Sequence, residues 1–238
     1  MTIGGTISKT FVMLILLLAA SVYSYVQVTQ GTMKMPVLVG VAVVNIIVAL
    51  AAIFIPRISP VYAVVKGIVL GSISVFYIMR FGNSILLTAV LLTISILFAM
   101  LVLYATRIIK VTEKFRTVVT AATLGIFIMY LFVFLLNTFV LTVPYIHQGG
   151  ASSIIISAVV IVVAALDLLL DFDSIENGTR SGAPKYMEWY STIGLMMTLV
   201  WLYLEILRFV SYFIPLLPLA PFSPLFSIQY VYLDSFLF

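Results

Sequence analysis

The stretch ASSIIISAVVIVVAALDLLLDF, residues 151–172, decides the fold: it is apolar almost throughout, and Asp167 and Asp171 are its only charges. Wound as an α-helix at about 1.5 Å per residue, it reaches across the roughly 30 Å of hydrocarbon in a bilayer. Six further runs share this character, at about 11–29, 36–55, 61–79, 84–104, 117–142 and 189–214, separated by charged or Pro/Gly-bearing breaks. The composition agrees. Of 238 residues, 64% are hydrophobic and 8% charged, whereas a soluble domain carries about 25% charged residues. So few charges cannot cover a water-exposed surface, so the solvent is lipid. Ten-residue segments of alternating hydrophobicity, the mark of an outer-membrane barrel, do not occur. The sequence predicts an all-α integral membrane protein, a seven-transmembrane-helix bundle spanning 1–214, followed by an apolar Pro-rich tail at 215–238.

Composition also closes off chemistry. The chain has no cysteine and one histidine, His147, so disulfides, thiol catalysis and multi-histidine zinc sites are excluded. The net charge of +4 forms no basic stripe on a soluble surface, so nucleic acid is not an expected partner. No cofactor is implied.

Cation placement sets the expected orientation. With the N-terminus inside, the inner loops hold Lys9, Arg57, Arg107, Lys110, Lys114, Arg116, Arg180 and Lys185. The outer loops hold only Lys34 and Arg80, while Lys66 and Arg208 fall within spans. The positive-inside rule then gives N-terminus cytoplasmic and C-terminus outside. The basic loop RIIKVTEKFR (107–116) is the main cytoplasmic anchor, suited to anionic headgroups. Lys9 followed by FVMLILLLAAS (11–21) has the look of a signal peptide, but apolar character continues through Val26 and favours a full span. The tail carries four prolines in IPLLPLAPFSPLF (214–226), which prevents a continuous eighth helix. An irregular segment at the outer interface is expected there, with Tyr230 and Tyr232 at headgroup level.

Ionisable groups inside spans are costly and informative. Lys66 and Asp167 each fall about 6–8 Å to the cytoplasmic side of their span centres, and Asp171 lies one turn nearer that face. Asp167 and Asp171, four apart, share a helix face able to meet Lys66 across the bundle. Glu205 and Arg208, three apart, can pair within one helix. Asp173, Glu176 and Glu188 belong to the inside loop or its edges. Two readings stand. In one, Lys66–Asp167 and Glu205–Arg208 merely fix helix register. In the other, Asp171, Asp167 and Glu205 form a cation-attracting, proton-sharing pathway, with Lys66 and Arg208 as counter-ion or gate. Neighbouring carboxylates in low dielectric titrate together and can respond near neutral pH. Elsewhere, Asn45 and Asn137 are expected to make interhelical hydrogen bonds, and Gly67 and Gly71 to form a close-packing stripe. Met196, Met197, Trp201 and Tyr203 read as core packing.

The strings AALDLLLDFDSIENG (164–178) and APKYMEWYSTIGLMMTLVWLYLEILR (183–208) resemble a bacterial branch of the Bax inhibitor-1 family, the transmembrane Bax inhibitor motif proteins. GTISKT (5–10), RIIKVTEKFR (107–116) and IHQGG (146–150) look like that branch too. The resemblance covers about residues 1–213. It implies six helices around a central last helix, a bacterial cytoplasmic membrane, and a pH-sensitive calcium leak. In better-known relatives an aspartate near the end of span six pairs with one in span seven and closes the path. Those positions correspond to Asp171 and to Thr198, which cannot ionise, so Glu205 or Asp167 would have to substitute. Lys66 stands where this branch is expected to carry an acid.

The leading expectation is therefore a calcium or other cation leak channel or transporter, with Asp171 and Asp167 as transient Ca²⁺ ligands, since carboxylates suit a hard cation. The alternative is a non-transporting regulator acting on a membrane-protein partner, such as a membrane protease, or in stress survival. Enzymatic activity is not expected. No aspartate follows a GxGD-type string, His147 lies in a loop, and the last span has no lysine for a retinal linkage.

Overall fold

The computed structural model describes residues 1–33, 35–139 and 151–213. Seven α-helices among them are long and apolar enough to cross a membrane. They are α1 (Ile3–Thr29), α2 (Met35–Phe54), α3 (Ser59–Phe81), α4 (Ser84–Ala105), α5 (Glu113–Phe139), α6 (Ala151–Arg180) and α7 (Met187–Phe213), with no strand among the described residues. Helix is the form in which a single segment satisfies its own backbone in lipid. The expected tail at 215–238, and with it Tyr230 and Tyr232, lies outside the described residues, as do His147, the IHQGG string and the side chain of Asn137.

Two helices overrun their apolar runs. α1 starts at Ile3 rather than near 11, because the polar residues ahead of the run are spent on the helix itself. Thr2 caps it by accepting from Gly5 N–H. The hydroxyls of Thr6, Ser8 and Thr10 donate to carbonyls four residues back at 2.9–3.0 Å. α1 then runs unbroken through Ala19–Ser21 to Thr29. α6 continues past 172 to Arg180, sustained by Asn177–Asp173 (2.8 Å) and Arg180–Glu176 (2.5 Å) one turn apart. It stops where Gly182 takes a positive φ of 66°, a conformation that glycine adopts without steric cost.

The helices form two compact units. One comprises Met1–Leu87 with Leu168–Val200; the other comprises the described parts of Thr88–Asp167 and Trp201–Phe238. In the first, α3 packs against α1 and α2. The α1–α3 seam is backbone on backbone. A Cβ at Gly67 would strike the Leu17 carbonyl oxygen and lie 2.9 Å from Ala20 Cβ, and one at Gly71 would strike the Ser21 carbonyl and lie 2.9 Å from Ser21 Cα. One turn on, Ser24 and Ser72 hydroxyls bond at 2.8 Å, both buried. Gly67 and Gly71 are thus the packing stripe their spacing predicts. Contacts rise together along both chains, from 17 against 67 to 24 against 72, so α1 and α3 run parallel. The first half of α7 also runs parallel to α1, with Lys9 beside Glu188 and Thr10 beside Thr192. In the second unit α5 and α6 run antiparallel: Thr123 meets Asp167, while seven residues later on α5 Tyr130 shares Glu205 with Ser157. Within each unit these directions agree with a chain that crosses a membrane once per helix.

Burial is uneven. α2 exposes Val43, Ile46, Ile47 and Leu50, and α1 exposes Phe11, Ile15, Leu18 and Val22. Such broad aliphatic faces are aggregation-prone in water and ordinary against acyl chains. α7 is buried along much of its length, with Met196 and Tyr203 buried, Met197 and Trp201 half-buried, and Tyr190 and Phe213 exposed.

Candidate functional site

The polar side chains of the spans gather in three places. In the second unit, Glu205 on α7 is fully buried and Arg208, one turn on, is 3% exposed. Arg208 Nη1 donates to Glu205 Oε1 at 3.2 Å and to Tyr130 Oη at 2.8 Å. Tyr130 Oη donates to the same Oε1 at 2.6 Å, and Ser157 Oγ donates to Oε2 at 3.2 Å. The guanidinium also lies 5.2 Å from the Tyr130 ring centroid. Tyr130 Oη thus stands between cation and anion, accepting from one and donating to the other, so the charges neutralise each other within one network tying α5, α6 and α7. Glu205 and Arg208 are brought together as their spacing predicts. Tyr130 and Ser157 join them without a sequence signal beyond a lone hydroxyl in an apolar run, which needs a partner once buried.

The second place is α6 itself. Asp167 accepts from Thr123 Oγ1 of α5 at 2.7 Å, within the second unit. Asp171, one turn on, belongs to the first unit, where its Oδ1 faces Gly194 of α7, 3.4 Å from where a Cβ would stand. Both aspartates are half-buried. Thr198 donates its hydroxyl to Gly194 O at 3.2 Å. At Gly194 Asp171 thus meets a residue without a side chain, and Thr198 one turn on bonds within its own helix. Lys66 sits half-buried on α3, next to Gly67. In α2, Asn45 Oδ1 is buried and accepts no hydrogen bond among the described residues, so the expected interhelical bond is not made through that oxygen.

The third place was not expected from sequence. Lys9 and Glu188 read there as topology markers at span edges; folded, they form an ion pair at 2.5 Å with Glu188 2% exposed. Glu188 Oε1 also accepts Thr2 N at 2.9 Å and Thr2 Oγ1 at 3.2 Å. Lys9 Nζ lies 4.9 Å from the Trp189 ring centroid, a cation–π contact. Thr192, wholly buried, donates to Glu188 O at 2.8 Å and stands 3.4 Å from Thr10 Oγ1. The available signal was hydroxyls at Thr2, Thr6 and Thr10 in four-residue steps, laying a polar stripe along one face of α1.

Among the described residues no three Asp, Glu or His side chains converge as a metal centre. Comparison with curated proteins and with solved structures found no match. A family model described as Bax inhibitor 1 like matches residues 1–214, taking in all seven helices, the α6 aspartates and the α7 charge pair. With its seven apolar helices matched from end to end, the chain belongs to the Bax inhibitor 1 like family of membrane proteins.

Proposed function

We propose that this protein is a pH-sensitive cation leak channel or transporter, with calcium as the cation, in a bacterial cytoplasmic membrane. The observation that carries the proposal is the placement of Asp171: a carboxylate within a membrane helix, its Oδ1 facing Gly194 of α7. Carboxylate oxygens attract hard cations and, in low dielectric, exchange charge for a proton. Asp167, one turn along α6, offers a second carboxylate oriented by Thr123. Glu205 serves as the fixed anion of the Arg208–Tyr130 network. Lys66 supplies the opposing charge that limits cation occupancy. We place the N-terminus in the cytoplasm, from the excess of cations in the loops on that side. No catalytic role is proposed.

Substituting Asp171 tests this assignment. In vesicles enclosing a calcium dye, Asp171→Asn is expected to lower flux on the order of tenfold, the ratio that about 1.4 kcal/mol of lost attraction represents, and to flatten its dependence between about pH 5 and pH 8. Flux and pH profile equal to the parent protein would remove Asp171 from the path.

A further inference from the structure

The polar cluster at the start of α1 occupies a particular place relative to Asp171. Asp171 and Gly178 lie seven residues apart on α6, hence on one face and about 10 Å apart along the axis. Met1 rests on Gly178, its Sδ 2.9 Å from where a Cβ would stand, and the Met1 amine donates to Ala183 O in the α6–α7 connection at 2.5 Å. On α7, Glu188 precedes Gly194, the residue facing Asp171, by about 9 Å of helix. The start of α1 therefore lies at the end of the α6–α7 pair, about 10 Å along α6 from Asp171, all within one compact unit.

Polar contacts fasten this segment. Glu188 takes Thr2 and Lys9, and Thr192 faces Thr6 and Thr10. Gly5 makes the approach possible, since a Cβ there would sit 2.6 Å from Glu188 Oε2. The outward side chains of this segment, Ile3 and Ile7, are exposed. The segment is thus fastened by one carboxylate and a row of hydroxyls, whereas α1 farther on is locked to α3 by glycine packing.

We propose that residues 1–10 are a detachable plug at the end of the α6–α7 pair nearest Asp171, with Glu188 as its latch and Lys9 as the latch's counter-charge. The inference rests on reading Asp171 as part of a leak path, and deepens that reading by naming what closes it. Opening is a local release of the first turns of α1 from α7, with the Gly67–Gly71 seam to α3 as the fixed hinge.

The chain has no native cysteine, so cysteine probes report cleanly. In protein reconstituted into vesicles, Thr192→Cys is expected to react slowly with a maleimide in the parent background. Adding Glu188→Gln, or separately Lys9→Gln, is expected to raise that rate about tenfold, the scale of one charge-assisted bond lost. Oxidising Thr10→Cys/Thr192→Cys to a disulfide is expected to lower calcium leak, and reductant to restore it. A Ser24→Cys/Ser72→Cys disulfide in the fixed seam leaves leak unchanged. If both latch variants leave the labelling rate as it was, there is no detachable plug. If labelling rises but leak ignores the Thr10–Thr192 disulfide, the segment detaches without closing the path, and the proposal is overturned. Absence of leak in the parent protein overturns the channel reading instead, and the labelling rates then judge the detachable segment by themselves.

Discussion

Arg208→Leu is expected to destabilise the folded protein by about 3–5 kcal/mol, the usual result of stripping the counter-charge from a buried ion. Glu205 has no solvent contact. Without the guanidinium its carboxylate keeps only the Tyr130 and Ser157 hydroxyls, at 2.6 and 3.2 Å. Neutral donors soften an isolated charge but do not cancel it. The double variant Glu205→Leu/Arg208→Leu removes both charges and is expected to recover most of the loss, because a well-packed apolar pair often equals a buried ion pair in stability. Unfolding from mixed micelles followed by tryptophan fluorescence measures both. Strong non-additivity is the signature; a single variant within about 0.5 kcal/mol of the parent, as at an ordinary surface position, contradicts the buried network.

Gly71→Val is expected to cost at least as much, or to prevent recovery of folded protein. Even a methyl at this position meets the Ser21 carbonyl and its Cα; these are backbone atoms of α1, and the only relief is to part the helices. Overpacking a core costs about 1–3 kcal/mol when side chains can adjust; here they cannot, and the Ser24–Ser72 hydrogen bond one turn along α1 would be pulled open too. That bond is itself a minor contributor: interhelical hydrogen bonds in membranes average about 0.6 kcal/mol. Ser24→Ala/Ser72→Ala should therefore shift unfolding only slightly. Size-exclusion profiles and unfolding midpoints of the two variants separate these effects. A well-folded Gly71→Val with an unchanged midpoint contradicts the α1–α3 seam.

The seven spans were legible because each must bury its own backbone polarity in lipid, which leaves a long apolar run as its trace. Their ends were less so. Thr6, Ser8, Lys9 and Thr10 look like a loop in sequence, yet their hydroxyls bond back along α1 and Lys9 finds Glu188 on another helix. Spacing alone revealed pairs on one helix, Glu205 with Arg208, and the glycine stripe on α3. It did not reveal Tyr130, Ser157 or Thr123, because meeting across helices depends on relative rotation and depth, which no local pattern fixes. The same holds for Gly194: an ordinary small residue in sequence, it becomes the surface that Asp171 faces.

Calcium entry into vesicles carrying the purified full chain, compared with empty vesicles across about pH 5 to 8, tests the central claim most directly. The account predicts a leak above the empty-vesicle baseline whose rate changes with pH. A rate indistinguishable from empty vesicles at every pH contradicts it, and would favour a non-transporting regulatory role for this family member.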